Sequence, residues 1–356
     1  MTEGRSLLAA ERHNLILAVL ARDGAVRIAD LVEMLDVSAM TIRRDLLHLE
    51  REGYLQRVHG GAVRARSVTS DRSTPARKLG ILGPGRDASW RTVARAAEQR
   101  AQDQGYGTVL HSRPTHGTVS GLTDIERVLE SDAISGFVLA THSSSPAAIG
   151  ELVRWLSGID LPYVLVEPGA RTETAESISC DHTLGLKQTV RHLTELGHRR
   201  LGLVLQRSSP LSRRLARAWR IACSEFGLTP DEHFTRLVTD GTSVRFQNDV
   251  AAVLASARSL RTTGLVLYGG THASELTRQA TIQGMSIPAD LSIVIYGDDA
   301  TSASLGLTAV ALPHADMGRI AMDLLIHRLA HPEGPRKRIL VSPEFVQRTS
   351  TAVVHP

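Results

Sequence analysis

Apolar positions recur with a helical period three times near the start of the chain. The stretch from Glu11 to Arg22 places Ile16, Val19 and Leu20 on one face and stops at Asp23-Gly24. Ile28, Leu31, Val32 and Leu35 make a second, shorter amphipathic helix. Only Asp36-Val37 separates it from Ser38, whose hydroxyl can accept from the free N–H groups that open a helix. In the third segment Ile42, Leu46 and Leu49 fall at i, i+4 and i+7, an inward stripe, while the opposite face carries Met40, Arg43, Arg44, Leu47 and Arg51. Three helices of this size, the last two joined by a tight turn, predict a helix-turn-helix. After Gly53 the period changes to two: Tyr54-Leu55-Gln56-Arg57-Val58 alternates like a strand, and Gly60-Gly61 supplies a turn where positive φ costs little. A hairpin wing follows from that pattern.

From Lys78 onward short apolar runs alternate with helical stretches. Strands are expected at Leu79–Leu82, Thr108–His111, Gly136–Ala140, Tyr163–Val166, Leu201–Leu205, Gly264–Leu267 and Leu291–Tyr296. Helices are expected between them, up to Gln104, at 125–129, 149–155, 184–196, 214–226 and 274–283. Such alternation means parallel sheets with helices on both faces. There are too many strands for one sheet, and the break is expected near Gly197-His198.

Composition narrows the picture. At 356 residues the chain suits a small domain plus a large or bilobed one. A net charge of +4 implies no general nucleic-acid coating, so distribution decides. Between Tyr54 and Lys78, Arg57, Arg64, Arg66, Arg72, Arg77 and Lys78 face one acid, Asp71, which puts positive charge at the wing and just after it. Residues 64–77 are polar, poor in large apolar groups and closed by Pro75, and read as a linker. Cys180 and Cys223 set neither a disulfide framework nor metal-ligand spacing. No signal peptide or run of 18 apolar residues is seen, so a cytoplasmic protein without membrane contact is expected.

Residues 12–63 resemble the N-terminal domain of the DeoR family of bacterial transcription regulators. The resemblance is carried by Ser38, Thr41, Ile42, Arg43, Arg44, Asp45 and Leu46, then His59, Gly60, Gly61 and Ala62. It implies binding to double-stranded DNA through Ser38, Met40, Thr41, Arg43 and Arg44, with Arg57 and His59 near the backbone or minor groove. An arginine on the exposed helix face can pair bidentately with guanine. Asp45 is expected to pair with a neighbouring arginine rather than touch DNA.

A second resemblance covers roughly residues 78–353. Asp181-His182, Gly185, the run His192-Leu193-x-x-Leu196-Gly197-His198-Arg199-Arg200, and Ser286 to Ser292 look like the effector-binding domain of the LacI/GalR family. So do Gly297-Asp298-Asp299, Leu307 to Val310, and Val346-x-Arg348-x-Ser350-Thr351. The resemblance implies a periplasmic-binding-protein type I fold, two Rossmann-like lobes clasping a small ligand, with three crossings between lobes. The expected organisation is a winged helix-turn-helix at 1–63, a linker at 64–77 and an α/β effector domain at 78–356. Lobe 1 is placed at about 78–197 and 310–330, and lobe 2 at about 198–309 and 331–356.

Ligands in open α/β lobes bind beyond the C-terminal ends of strands. The candidate contacts are Trp90, Asp181, Arg213, Arg214, Thr271 and Asp298: carboxylates for vicinal hydroxyls, an arginine donor and an aromatic face. Plainer readings stand beside them, Asp298 as a capping carboxylate and Trp90 as core packing. Two departures from the family matter. The position four before Trp219, an arginine in the family, is Leu215 here, which leaves Arg213 and Arg214 as alternatives; and Gly269-Gly270-Thr271-His272 stands where an Asn-Asp pair is usual.

No G-x-S-x-G, metal constellation or serine–histidine arrangement stands out, and Gly80, Gly83 and Gly85 are wrongly spaced for a dinucleotide loop. No catalytic residue, cofactor or metal is expected. The expected function is a transcription regulator, a repressor before an activator. It binds its operator as a homodimer and answers to a sugar or similar polyol, with a nucleoside or another non-sugar metabolite as the alternative.

Overall fold

The computed structural model describes residues 9–51, 54–58, 60–64, 78–84, 87–113, 134–140, 154–156, 158–159, 161–168, 175–239 and 243–354. The chain divides into two units, Met1–Thr74 and Pro75–Pro356. Among the described residues of the first unit are helices α1 (Ala9–Asp23), α2 (Ile28–Leu35) and α3 (Ala39–Arg51), and strands β1 (Ala25–Arg27), β2 (Leu55–Val58) and β3 (Gly61–Arg64). The strands form an antiparallel sheet in the order β1-β3-β2. Ile16, Leu20, Leu31, Leu35, Ile42, Leu46 and Leu49 from the three helices meet Leu55 and Ala62 of the wing in one core. Each such leucine or isoleucine contributes about 1.5–3 kcal/mol by leaving water. The wing packs closely at one point: a Cβ on Gly61 would lie 2.1 Å from the Val26 carbonyl oxygen, so β3 can approach β1 only as glycine.

Two six-stranded sheets make up the second unit. Lobe 1 contains β4 (Lys78–Pro84), α4 (Ala88–Asp103), β5 (Gly107–Arg113), β6 (Ile134–Ala140), β7 (Tyr163–Val166) and β8 (Glu176–Cys180). Lobe 2 contains α5 (His182–Glu195), β9 (Leu201–Gln206), α6 (Ser212–Glu225), β10 (His233–Val238), α7 (Val244–Ser259), β11 (Gly264–Tyr268), α8 (Gly270–Ile282), β12 (Ser292–Tyr296), α9 (Ala300–Ser304) and β13 (Thr308–Ala311). The chain then returns through α10 (His314–Ala330) and β14 (Arg338–Val341) to lobe 1, and ends through β15 (Glu344–Val346) in lobe 2. The orders are β14-β8-β7-β6-β4-β5 and β10-β9-β11-β12-β13-β15. Every pairing is parallel except β13 with β15. Helices cover both faces, which is why β12, Ser-Ile-Val-Ile-Tyr, is buried at every position.

The lobe boundaries differ from those expected. The first crossing comes at Asp181, not near Gly197. Leu186, Val190 and Leu193 of α5 share a core with Leu201, Leu203 and Trp219, so residues 182–197 belong to lobe 2. The Gly197-His198 turn lies within that lobe, where buried His198 bonds Thr263 Oγ1 through Nδ1 (2.8 Å) and the Ala352 carbonyl through Nε2 (3.1 Å). Residues 310–311 lie on β13 and also belong to lobe 2. Residues 338–341 go the other way, because β14 pairs with β8 in lobe 1. The return of α10 follows the expectation: Met317, Ala321 and Leu325 pack into the lobe 1 core. Of the linker, only Arg64, at the end of β3, is among the described residues, and the helix expected at 125–129 lies outside them.

Candidate functional site

In the first unit, Ser38 caps α3: its Oγ accepts from the Thr41 N–H at 3.2 Å and lies 2.9 Å from Thr41 Oγ1. Such a cap is worth about 1 kcal/mol. Ile42, Asp45, Leu46 and Leu49 turn inward, while Met40 is 70% exposed and Arg43 and Arg44 stand on the surface without a partner among the described residues. Asp45 is buried, and its partners come from α1: Arg12 Nε at 2.9 Å, Arg12 Nη2 at 3.2 Å and His13 Nε2 at 3.0 Å. Burial pushes the Asp45 carboxyl up, but these bonds more than offset it and hold its pKa below the usual range. The expected arginine partner is therefore real, and it lies 33 residues upstream. Glu50, near the end of α3, accepts from the Arg57 backbone N–H at 2.9 Å and from Arg57 Nε at 2.7 Å. Arg43 and Arg57 both line a depression of about 380 Å³ with Ile28, Leu46, Val58 and Gly61. His59 lies outside the described residues.

In the second unit, the polar groups at the strand ends concentrate on Glu167, directly after β7, which sequence reasoning did not select. Its backbone has φ 50, an uncommon conformation for a non-glycine residue. Oε1 accepts from the Cys180 N–H at 2.7 Å; Oε2 lies 3.3 Å from His182 Nε2 and accepts from Arg214 Nη1 at 2.7 Å. Arg214, on α6 of lobe 2, also donates to the Pro168 carbonyl at 3.3 Å, so it bridges the lobes. His182 Nδ1 lies 2.9 Å from the Tyr296 hydroxyl at the end of β12. Burial raises the Glu167 carboxyl, yet the His182 bond, the charges of His182 and Arg214 and the Cys180 N–H together hold it below its ordinary value. Burial also pushes the Tyr296 phenol well up and lowers His314, despite the nearby carboxylates of Asp87 and Glu167. Tyr296 and His314 thus stay neutral near pH 7 beside the ion pair.

The sequence-selected residues divide around this centre. Arg214 takes part in it, and buried Leu215 beside it packs in the core. Arg213 is exposed, without a partner among the described residues. Asp181 caps α5, its Oδ1 accepting from the Leu184 N–H at 2.9 Å, at the crossing between lobes. Asp298 is held bidentately by Arg348, at 3.0 and 2.7 Å, and accepts from Ser302 Oγ at 2.8 Å. That arrangement uses three of about four acceptor sites on a carboxylate. Trp90 is 4% exposed, in the lobe 1 core against Gly83, where a Cβ would lie 2.1 Å from the ring; the aromatic face expected of it for a ligand is covered. Thr271 is the second residue of α8.

Comparison with known proteins places the whole. Residues 12–68 match the model of a DeoR-like helix-turn-helix domain and residues 190–351 that of a periplasmic binding protein-like domain. Over 317 residues the chain is 30% identical to an HTH-type transcriptional regulator in the aml 5′ region of Streptomyces limosus, covering 86% of this chain and 84% of the relative. The chain belongs to the HTH-type transcriptional regulators. It is a DNA-binding transcription regulator, and its relatives are regulators rather than enzymes.

Two solved structures show this regulator's larger fold. A LacI-family regulator from Enterococcus faecium with bound ribose superposes with a TM-score of 0.63 at 22% identity, over 78% of the regulator and all of that chain. The lac repressor dimer bound to operator and an anti-inducer gives 0.66 at 19%, over 80% and 96%. Among the regulator's described residues no cluster of His, Cys, Asp or Glu suits a metal ion, and no helix is long and apolar enough to cross a membrane.

Proposed function

We propose that this regulator is a repressor that holds its operator as a homodimer, and that a small hydroxyl-rich ligand bound between its lobes controls that hold. The N-terminal unit is read as a DeoR-type winged helix-turn-helix. In this reading Ser38 fixes the start of α3, and Met40, Thr41, Arg43 and Arg44 face the major groove. Arg57 and His59 lie along the backbone. Two copies are needed because one winged domain offers a small interface.

The observation that carries the ligand reading is the cross-lobe array of Glu167, Arg214, His182 and Tyr296. It sets a carboxylate acceptor, a guanidinium donor, an imidazole and a phenol within one cluster. Adjacent hydroxyls of a sugar or polyol need that mixture, since each hydroxyl both donates and accepts. Asp181 lies at the lobe crossing, and half-buried Tyr268, at the end of β11, supplies an aromatic ring beside Tyr296. Asp298, already held by Arg348, serves lobe 2 first. The bound ribose of the Enterococcus faecium structure supports the ligand class, and the operator-bound lac repressor dimer supports the assembly.

Calorimetry of the full chain against a panel of neutral sugars, polyols and nucleosides tests the reading. The expected result is saturable heat from one sugar or polyol, lost in Glu167→Gln. Binding confined to nucleosides, or unaltered in Glu167→Gln and Arg214→Gln, would overturn the ligand assignment.

A further inference from the structure

The wing carries an arrangement that helix α3 alone does not explain. Glu50 stands on the last turn of α3 and uses both carboxylate oxygens on one wing residue, Oε1 on the Arg57 backbone N–H and Oε2 on Arg57 Nε. The backbone bond fixes β2 against the helix, and the side-chain bond fixes the guanidinium from its inner edge. Arg57 is still 44% exposed at its side chain and lines the depression that Arg43 lines from the helix side. A guanidinium has five N–H donors in a rigid fork. With Nε tied to Glu50, the outer nitrogens remain for a second acceptor.

We propose that Glu50 is a positioning residue, which sets Arg57 over the depression between α3 and the wing so that its outer nitrogens take a DNA backbone phosphate. The proposal rests on the reading of Arg57 as a DNA contact. Two guanidinium groups border one hollow that Gly61, next to the turn at Gly60, also lines, and two cations on one hollow suit an anion. The sign of the effect is what makes the idea sharp. A carboxylate near phosphates repels them, so if Glu50 did nothing for Arg57 its removal should strengthen DNA binding. If it holds Arg57 in place, removal should weaken binding despite the charge relieved. The two hydrogen bonds from Arg57 also keep the Glu50 carboxyl below its ordinary pKa, so it stays ionised at neutral pH. Met40, Arg43 and Arg44 on the exposed face of α3 are left to the bases, while the wing contact carries no sequence information.

A phosphate contact is independent of sequence, so a duplex of arbitrary sequence serves as the probe. The full chain, Glu50→Gln, Arg57→Gln and the double variant are titrated on it between roughly 50 and 200 mM salt, where the slope of log K against log salt counts phosphates neutralised. Loss of one contact lowers the slope by about 0.9 for each wing on the DNA, which shrinks the affinity ratio across that salt range about 3.5-fold per wing. The expected result is the same fall in Glu50→Gln and Arg57→Gln, with no further fall in the double variant and an unaltered circular dichroism melt. If Arg57→Gln lowers the slope while Glu50→Gln leaves it unchanged or raises it, the positioning role is overturned and the wing contact survives. If Arg57→Gln leaves the slope unchanged, the wing contact itself is wrong. A melt lowered in Glu50→Gln with the slope intact assigns Glu50 to structure alone and overturns the proposal.

Discussion

Arg214 Nη1 lies 2.7 Å from Glu167 Oε2, and that bond joins helix α6 of one lobe to the loop after β7 of the other. Its partners are chain-distant, part-buried and further tied to His182 and Cys180. The bond therefore favours lobes that stand close enough for it to form, before any ligand arrives. A ligand shifts such an equilibrium only by its differential affinity for the open and closed forms.

Removing the cation should open the lobes. Nitroxides placed at exposed Arg95 and Ala255, one on each lobe, report the separation, and buried Cys180 and Cys223 leave the label to the new cysteines. Without ligand, Arg214→Gln should give a longer and broader distance distribution than the wild type. Superimposable distributions would show that the bond does not hold the lobes.

Asp45 ties α3 to α1, and its pKa is depressed in the folded chain. A depressed carboxylate contributes stability that is complete above its unfolded pKa, about 3.9, and is lost as pH falls through the lower folded value. Asp45→Asn should cost the first unit about 1.5–3 kcal/mol near neutrality, the worth of hydrogen bonds to charged groups. It should also flatten the acid dependence below pH of about 4. Amide hydrogen exchange across residues 12–49 of the full chain reads both effects; equal protection in variant and wild type would count against the tie.

Asp298→Asn separates two roles for that residue. Because Arg348 and Ser302 already occupy its carboxylate, the substitution should lower the stability of lobe 2 by about 1–2 kcal/mol, reduced from the buried case by the partial exposure of both partners. Ligand affinity should fall less than in Glu167→Gln. Calorimetry showing the reverse order would return Asp298 to the ligand.

The first unit was legible because its signals are local. The stripe of Ile42, Leu46 and Leu49, the cap at Ser38 and the glycines of the wing lie within a few residues of what they organise. The three-residue strand β1 was too short for alternation to show. In the second unit β8 was missed, since Glu-Ser-Ile-Ser-Cys reads as polar; all five residues are buried, with Glu176 neutralised by Arg328 at 3.0 Å, 152 residues away. The cleft was the least legible part. Glu167 follows an apolar strand in a Val-Glu-Pro run with no motif around it, and its importance comes from Arg214, 47 residues on. Trp90 failed as a ligand face for the converse reason: a tryptophan near a strand end looks available until Gly83 is seen to make room for it. The lobe boundary was misplaced because the conspicuous Gly197-His198 turn ends a helix, whereas the true crossing at Asp181 is a single capping residue.

On the DNA side, Arg43→Ala or Arg44→Ala should each cost about 1–3 kcal/mol at a specific site if the side chain reads a base, with little change on arbitrary sequence. A double variant that keeps full specific affinity with α3 intact would remove both arginines from the readout.

The most direct measurement is a mobility shift on a duplex that the wild-type chain itself selects from a random-sequence pool, titrated with the sugar or polyol found by calorimetry. The expected result is a retarded complex that this ligand releases in the wild type and leaves in place in Glu167→Gln, and that fails to form in the Arg43→Ala, Arg44→Ala double variant. A complex that forms normally in that double variant, or that the wild type retains at saturating ligand, would contradict a repressor whose hold on DNA is governed from the cleft.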